Sequence, residues 1–451
     1  MPLIINAHIV TVDAEHRVLE NGAILVERGQ IAAMGESGQL AREHPQAQQF
    51  DAQGKIVMPG LIDAHHHPYN YLVGGHGDDL EIGDLLTRVF YPFEQHISEE
   101  EAYVGALATF AEMIRSGVTC FNDAGGYMPD AIARAAGDIG IRGIVNRSTR
   151  DMNPQGKASM MLETTSQALD AATQVVERWH GRYEGRLRAW FGIRMPITAS
   201  DDLIREIAAL ARVKQVGVHT HAATAAFERE ASLALFGKRS LDRYRDLGLL
   251  GPNVCAVHMG FLDDDEIPTV VNSGLKVAHC PIAALTGAWG IMTLGRIPQL
   301  MDEGVTVAIG SDTNFGSGTL DMFRQMFVCA TGHRESHRRP DLIGASKALD
   351  MATIEAARAM LWEDEIGSLE VGKRADLVVV DNGGLEWNYP GRDVVRSLVY
   401  SGSRADVHSV MIDGKWVLRD RVLTNCDVAD LKHQVISAGA AWWRRSQAAA
   451  R

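Results

Sequence analysis

The sequence predicts an α/β fold: a closed (β/α)8 TIM barrel with a small β domain assembled from the two chain ends. Three observations predict it. Between about residues 57 and 310, eight short apolar runs alternate with amphipathic or glycine-marked segments. Repeated βα units of this length imply a parallel sheet, and eight of them imply closure. Both chain ends read instead as strands and tight turns, and neither carries enough strands for a core of its own. Finally, the residues suited to metal or proton chemistry fall at the ends of the runs. The competing architecture, a doubly wound open sheet, lacks support, because no Gly-x-Gly-x-x-Gly follows a first strand.

The elements follow in order. Residues 1–57 are short strands, with Glu27-Arg28-Gly29-Gln30 as a hairpin turn between Ala23–Val26 and Ile31–Met34. A first barrel strand is expected over Val57–Ile62. Ser98-Glu99-Glu100-Glu101 is a capping box for a helix that stops at Gly117, before a strand at Val118–Phe121. Helices are expected over Pro129–Ile139 and from about Ser159 to Trp179, and Asp201-Asp202 is expected to cap another that runs to Val213. Strands are expected at Ile141–Val145, Leu187–Ile193, Val216–His221, Val254–His258, Leu275–His279 and Val305–Ile309. After Gly367 the β pattern returns, and Asp413-Gly414 turns a hairpin between Val407–Ile412 and Lys415–Leu418. The domain division expected is 1–57 with 366–425, a barrel over 58–365, and a terminal helix over 427–447 with Trp442 and Trp443 packed on a neighbouring surface.

Bulk properties narrow the function. A formal charge of −13 argues against nucleic acid or an anionic membrane as the main partner. No window approaches the roughly 20 apolar residues of a membrane span. The N-terminal residues lack the basic start and apolar core of a signal peptide. Five scattered cysteines without a Cys-x-x-Cys fit reduced thiols better than a disulfide framework. We expect a cytoplasmic homo-oligomer with a small-molecule substrate and neither nucleic acid nor membrane as a partner.

The stretch Pro59-Gly60-Leu61-Ile62-Asp63-Ala64-His65-His66-His67 carries the clearest chemistry. On a strand, His65 and His67 share a face and His66 takes the other. Taken alone, His-x-His reads equally well as a solvated strand terminus. The other strand ends change that balance: His219-Thr220-His221, His258, His279 and Ser311-Asp312 all fall at one rim, where barrel enzymes place their active sites. Imidazoles with a carboxylate suit a borderline cation such as Zn²⁺, Fe²⁺, Mn²⁺ or Co²⁺.

That stretch, together with Val218-His219-Thr220-His221, Val257-His258, Ala278-His279-Cys280-Pro281, Gly310-Ser311-Asp312-Thr313-Asn314 and the tail Ile366–Val378, resembles the amidohydrolase superfamily over essentially the whole chain. The resemblance implies that the two chain ends form a composite β-sandwich. It implies that His65, His67, His221 and Asp312 hold one divalent transition metal per chain, zinc first. It implies that His258 and Asp312 are catalytic, with His279 as a candidate proton shuttle or further ligand. Two-metal relatives carry a bridging Lys or Glu at the end of strand four. Here that end reads Phe191-Gly192-Ile193-Arg194, so one metal is expected, as in the branch with triazine chlorohydrolases and aminohydrolases. Arg194 is either a substrate anchor or a rim residue tied to a carboxylate. His219 and Thr224 are further candidates for contact with the substrate.

One departure from that branch matters. Deaminases in it carry His-x-x-Glu after strand five, and this chain has His221-Ala222-Ala223-Thr224, with Glu228 a turn further on. The leading expectation is therefore hydrolysis of a non-peptide C–N bond in an amide, urea or carbamate. The alternative is an aminohydrolase or dechlorinase of a nitrogen heterocycle such as a triazine, purine or pyrimidine. A non-catalytic assembly protein on this fold would be expected to have lost ligands, and all four positions are filled.

Overall fold

The computed structural model describes residues 1–154, 156, 160–313 and 320–449. Ser159 and Asn314, both used above, lie outside the described residues. The first five strands, β1 (Pro2–Val10), β2 (Val18–Glu27), β3 (Gln30–Glu36), β4 (Gln48–Asp51) and β5 (Ile56–Pro59), lie in one sheet. The next eight, β6 (Leu61–His66), β7 (Val118–Asp123), β8 (Arg142–Thr149), β9 (Leu187–Ile193), β10 (Val218–Ala222), β11 (Val254–His258), β12 (Lys276–His279) and β13 (Val307–Ile309), form a parallel sheet in sequence order. The last four, β14 (Leu377–Val380), β15 (Val407–Ile412), β16 (Lys415–Arg419) and β17 (Val422–Leu423), return to the first sheet, where β14 pairs with β5. The fold is the expected barrel with a second β unit from both chain ends.

The expected first strand Val57–Ile62 is two strands. Ile56–Pro59 pairs with β1 and β14, whereas Leu61–His66 pairs with β7. Pro59-Gly60 breaks the run because a proline donates no ladder hydrogen bond. Alternation then divides β5 and β14 between two cores. Ile56, Met58, Val378 and Val380 join the barrel core, while Val57, Leu377 and Val379 join the core of the end-domain sheet.

Helix starts follow their caps. Ser98 and Glu101 form the expected capping box on the helix Glu99–Arg115. The helix expected from Ser159 is Thr165–Trp179, started by a box between Thr164 and Gln167. The helix Asp201–Lys214 is capped by Ser200, whose hydroxyl accepts from Leu203 N, and not by the aspartates. At the C-terminus, Trp442 of the helix Val428–Ala449 packs edge-on against Phe93 at 5.1 Å between ring centroids, and Trp443 stacks on His76 at 4.6 Å. Among the described residues no helix is long and apolar enough to cross a membrane.

Candidate active site

The barrel closes where the candidate ligands sit. Asp312 N donates to His65 O at 2.8 Å, and His67 N donates to Asp312 O at 2.9 Å, joining the ends of β6 and β13. Asp63, one alternation before His65, accepts Ser311 N at 2.9 Å and also the Ser311 hydroxyl. His66 points the other way, as expected, with Nδ1 2.8 Å from Ser311 Oγ. These contacts fix the ends of strands one and eight against each other. Four non-glycine residues at this rim hold left-handed backbone: Ala223 (φ 49°), His258 (φ 74°), Met259 (φ 47°) and Asp312 (φ 68°). Such conformations persist where the surroundings over-determine them, often at functional sites.

The side chains converge on one point. Asp312 Oδ1 lies 3.6 Å from His65 Nε2 and 3.7 Å from His67 Nε2, and Asp312 Oδ2 lies 3.9 Å from His258 Nε2. Ligand nitrogens of His65, His221 and His258 all fall within 4.8 Å of one another. Burial opposes protonation of each ring. It takes His65 down to about 3 and His258 to about 4, and holds His67 and His221 well below their usual value. The rings are neutral, with lone pairs free to ligate. His65 Nε2 is buried and has no hydrogen-bond partner among the described residues. An orphaned nitrogen among neutral imidazoles beside a carboxylate is the donor set a divalent transition metal requires.

Behind His65 lies a hydrogen-bonded chain. His65 Nδ1 is 2.8 Å from His219 Nε2, and His219 Nδ1 is 3.0 Å from the Asn122 amide. If His65 Nε2 is to ligate, Nδ1–H must donate to His219 Nε2. The Asn122 atom nearest His219 Nδ1 is Nδ2; with that amide turned by 180°, which exchanges its nitrogen and oxygen, His219 Nδ1–H donates to Asn122 Oδ1. His219 is therefore a positioning residue for His65. It is not among the residues of the cavity wall.

His279 also stands apart from that wall. Its Nε2 lies 3.1 Å from His333 Nε2 on the helix Met322–His337, and it does not line the cavity. The neighbouring residue takes the inward place: Cys280 sulfur groups with His65 and Asp312 within 4.8 Å. Burial keeps that thiol far above its ordinary pKa, so it is protonated.

A cavity of about 670 Å³ opens over the cluster, large enough for a small-molecule ligand. His67, His221, His258, Asp312, Thr224 and Arg194 line it. The sequence reading missed its apolar wall. Phe90 sits 5.4 Å edge-on from His67, Trp289 sits 5.0 Å edge-on from His258, and Met195 and Phe227 line it as well. Glu228 stays out of this wall. Its carboxylate accepts Ala223 N at 2.8 Å, Thr224 N at 3.0 Å and the Ser240 hydroxyl at 2.8 Å. The carboxylate that sequence spacing left near the reacting centre instead holds the turn after β10.

Known proteins agree with this architecture. Residues 56–417 match the amidohydrolase family. The chain is 30% identical over 433 residues to a 5-methylthioadenosine/S-adenosylhomocysteine deaminase from Thermoanaerobacter pseudethanolicus, covering 96% of this chain and 97% of that one. It is 32% identical over 418 residues to a 5'-deoxyadenosine deaminase from Methanosarcina acetivorans, covering 93% and 92%. The crystal structure of an adenosine deaminase from Xanthomonas campestris with bound zinc superposes with a TM-score of 0.89 at 30% identity, covering 99% of this chain and 98% of that one. With a buried imidazole–carboxylate cluster at the rim of a closed barrel, the chain belongs to the amidohydrolase family and is a metal-dependent hydrolase of carbon–nitrogen bonds other than peptide bonds.

Proposed function

We propose that His65, His67, His221 and Asp312 hold one divalent metal, zinc in the first instance, and that the substrate is a small amide, urea or carbamate. A cation bound there would supply water of near-neutral pKa and polarise the scissile carbonyl. The chain's own groups do the rest. Asp312 accepts the proton of the attacking water and hands it to the departing nitrogen; with His219 and His279 outside the cavity wall, it is the acid–base group left in place. His258 Nε2 stabilises the oxyanion that develops at the carbonyl. Trp289 and Phe90 flank the two histidines and exclude water.

The observation that carries the substrate class is the turn after β10. Protonating a ring nitrogen during deamination requires an acid within hydrogen-bond reach. Here Thr224 lines that wall, but its hydroxyl, a very weak acid, is buried, and the nearby Glu228 carboxylate is committed to backbone N–H groups. The second reading is an aminohydrolase of an adenine-type nucleoside, favoured by full-length relatives named as deaminases. The leaving group separates the two. A metal-loaded panel of amides, ureas, carbamates and adenine nucleosides should release an alkyl or aryl amine. Ammonia from an adenine nucleoside, with efficiency unchanged by Glu228→Gln, would establish the second reading. The unpaired thiols, four of them buried, support a reducing cytoplasmic location. Light scattering tests the expected homo-oligomer.

A further inference from the structure

Arg194 follows the end of β9 and is 5% exposed, with its guanidinium in the cavity wall. A buried guanidinium is normally matched by a carboxylate. The other deeply buried arginines in this barrel obey that rule. Arg142 pairs with Asp376 and Arg150 pairs with Glu94. Arg194 forms no ion pair with any described residue. Its two contacts are the face of Phe90, 4.6 Å from the guanidinium carbon, and His67 Nδ1 at 3.4 Å from Nη1.

Neither contact satisfies a charged fork with five N–H donors. The Phe90 face accepts no conventional hydrogen bond. The His67 contact is worse than neutral once His67 ligates through Nε2, because its Nδ1 then carries a hydrogen. Two donors would face each other where a metal-bound imidazole ordinarily meets a carboxylate or carbonyl. An oxyanion is missing from the protein at this point. Asp312 faces His65, His67 and His258 and forms no ion pair with Arg194. The acidic groups elsewhere in the wall do not fill the role. Glu112 pairs with Arg404 at 2.6 Å, and Asp78 and Asp79 are exposed.

We infer that Arg194 binds a carboxylate on the substrate, so that the molecule hydrolysed is a small amide, urea or carbamate bearing a carboxylate beside the scissile group. The planar fork matches a carboxylate with two parallel hydrogen bonds, and the same oxyanion accepts from His67 Nδ1–H. The inference rests on the proposed function for the identity of the scissile bond, but its test does not use turnover. Calorimetric titration of the metal-loaded enzyme with benzoate and with its neutral isostere benzamide reads the charge contact, and the Arg194 variants separate it from carboxylate binding to the metal. Benzoate should bind about tenfold tighter or better, as charge-assisted pairs do. Arg194→Met, with metal content checked by mass spectrometry, should lose that preference. Arg194→Lys keeps the charge but not the fork and should lose part of it, which keeps the test open if the methionine variant does not fold. A benzoate preference that survives in either variant at full strength, or no preference in the wild type, overturns the inference. Failure of every amide, urea and carbamate to turn over would count against the proposed function and leave this measurement readable.

Discussion

At the scale of single residues, the cluster makes distinct demands on side chains that look alike in sequence. His221→Ala removes a ligand and should strip the metal, read as loss of bound zinc by mass spectrometry; full occupancy would exclude His221 from the ligand set. His258 is the discriminating case, because its nitrogen groups as closely with His65 and His221 as any ligand does. As an oxyanion stabiliser, His258→Ala should retain metal and lose about 10²–10³ in kcat. Loss of metal along with activity would make it a ligand instead. Asp312→Asn keeps the shape but removes the proton acceptor, so turnover should fall far more than the melting temperature; near-normal kcat would remove Asp312 from the reacting centre. Thr224 and Glu228 show why a motif must be read with its surroundings. Both follow His221 closely, yet the threonine faces the cavity and the glutamate is spent on the Ala223 and Thr224 amides.

At the scale of elements, alternation along a strand was legible in the sequence and depth was not. The period of two puts His65 with His67 and His219 with His221, and the structure agrees. It does not say that His219 lies one layer below the rim, under His65, while His221 opens to the cavity. At the end of β12 the residue grouped with His65 and Asp312 is Cys280, and His279 lies beside His333 on the helix Met322–His337. The apolar wall was not legible, because Phe90 and Trp289 come from segments between strands whose packing depends on the finished barrel. The approach of β13 to β6 depends on a residue without a side chain. A Cβ at Gly310 would lie 2.8 Å from His65 Cβ and 3.1 Å from Cys280 sulfur. Gly310→Ala should therefore push the two strand ends apart, at a cost of about 1–3 kcal/mol by overpacking. It should also weaken metal binding, because His65 and Asp312 sit one at each strand end and would separate. Unchanged stability and unchanged metal affinity by competition with a chelator would show that the rim tolerates the spread.

At the scale of the whole molecule, the barrel and the end-domain sheet are joined by more than chain continuity. Arg142 stands at the start of β8, fully buried, at the pole of the barrel opposite the rim. Its guanidinium donates through Nε to Asp376 Oδ2 at 2.6 Å and through Nη2 to Asp376 Oδ1 at 3.1 Å, a forked pair across the junction. Asp376 immediately precedes β14, and it also accepts the backbone N–H of Asp413 at the hairpin turn at 2.7 Å. One carboxylate thus anchors the returning C-terminal segment to both the third barrel strand and its own hairpin. In the sequence Asp376 lies within the Ile366–Val378 tail, with no sign of a partner 234 residues away. Removing the carboxylate leaves a buried guanidinium whose remaining carboxylate neighbour among the described residues is Asp413 Oδ1, at 3.5 Å. Breaking a buried pair on one side typically costs about 3–5 kcal/mol, whereas replacing both partners with apolar groups is often close to neutral. Asp376→Ala should therefore lower the denaturation midpoint strongly, and Arg142→Met combined with Asp376→Leu should recover much of the loss. Because the pair is at the far pole, the metal content of the folded fraction should stay at the wild-type level. A loss below about 1 kcal/mol for Asp376→Ala, within the range of a surface ion pair, would show that the two units do not depend on this bridge.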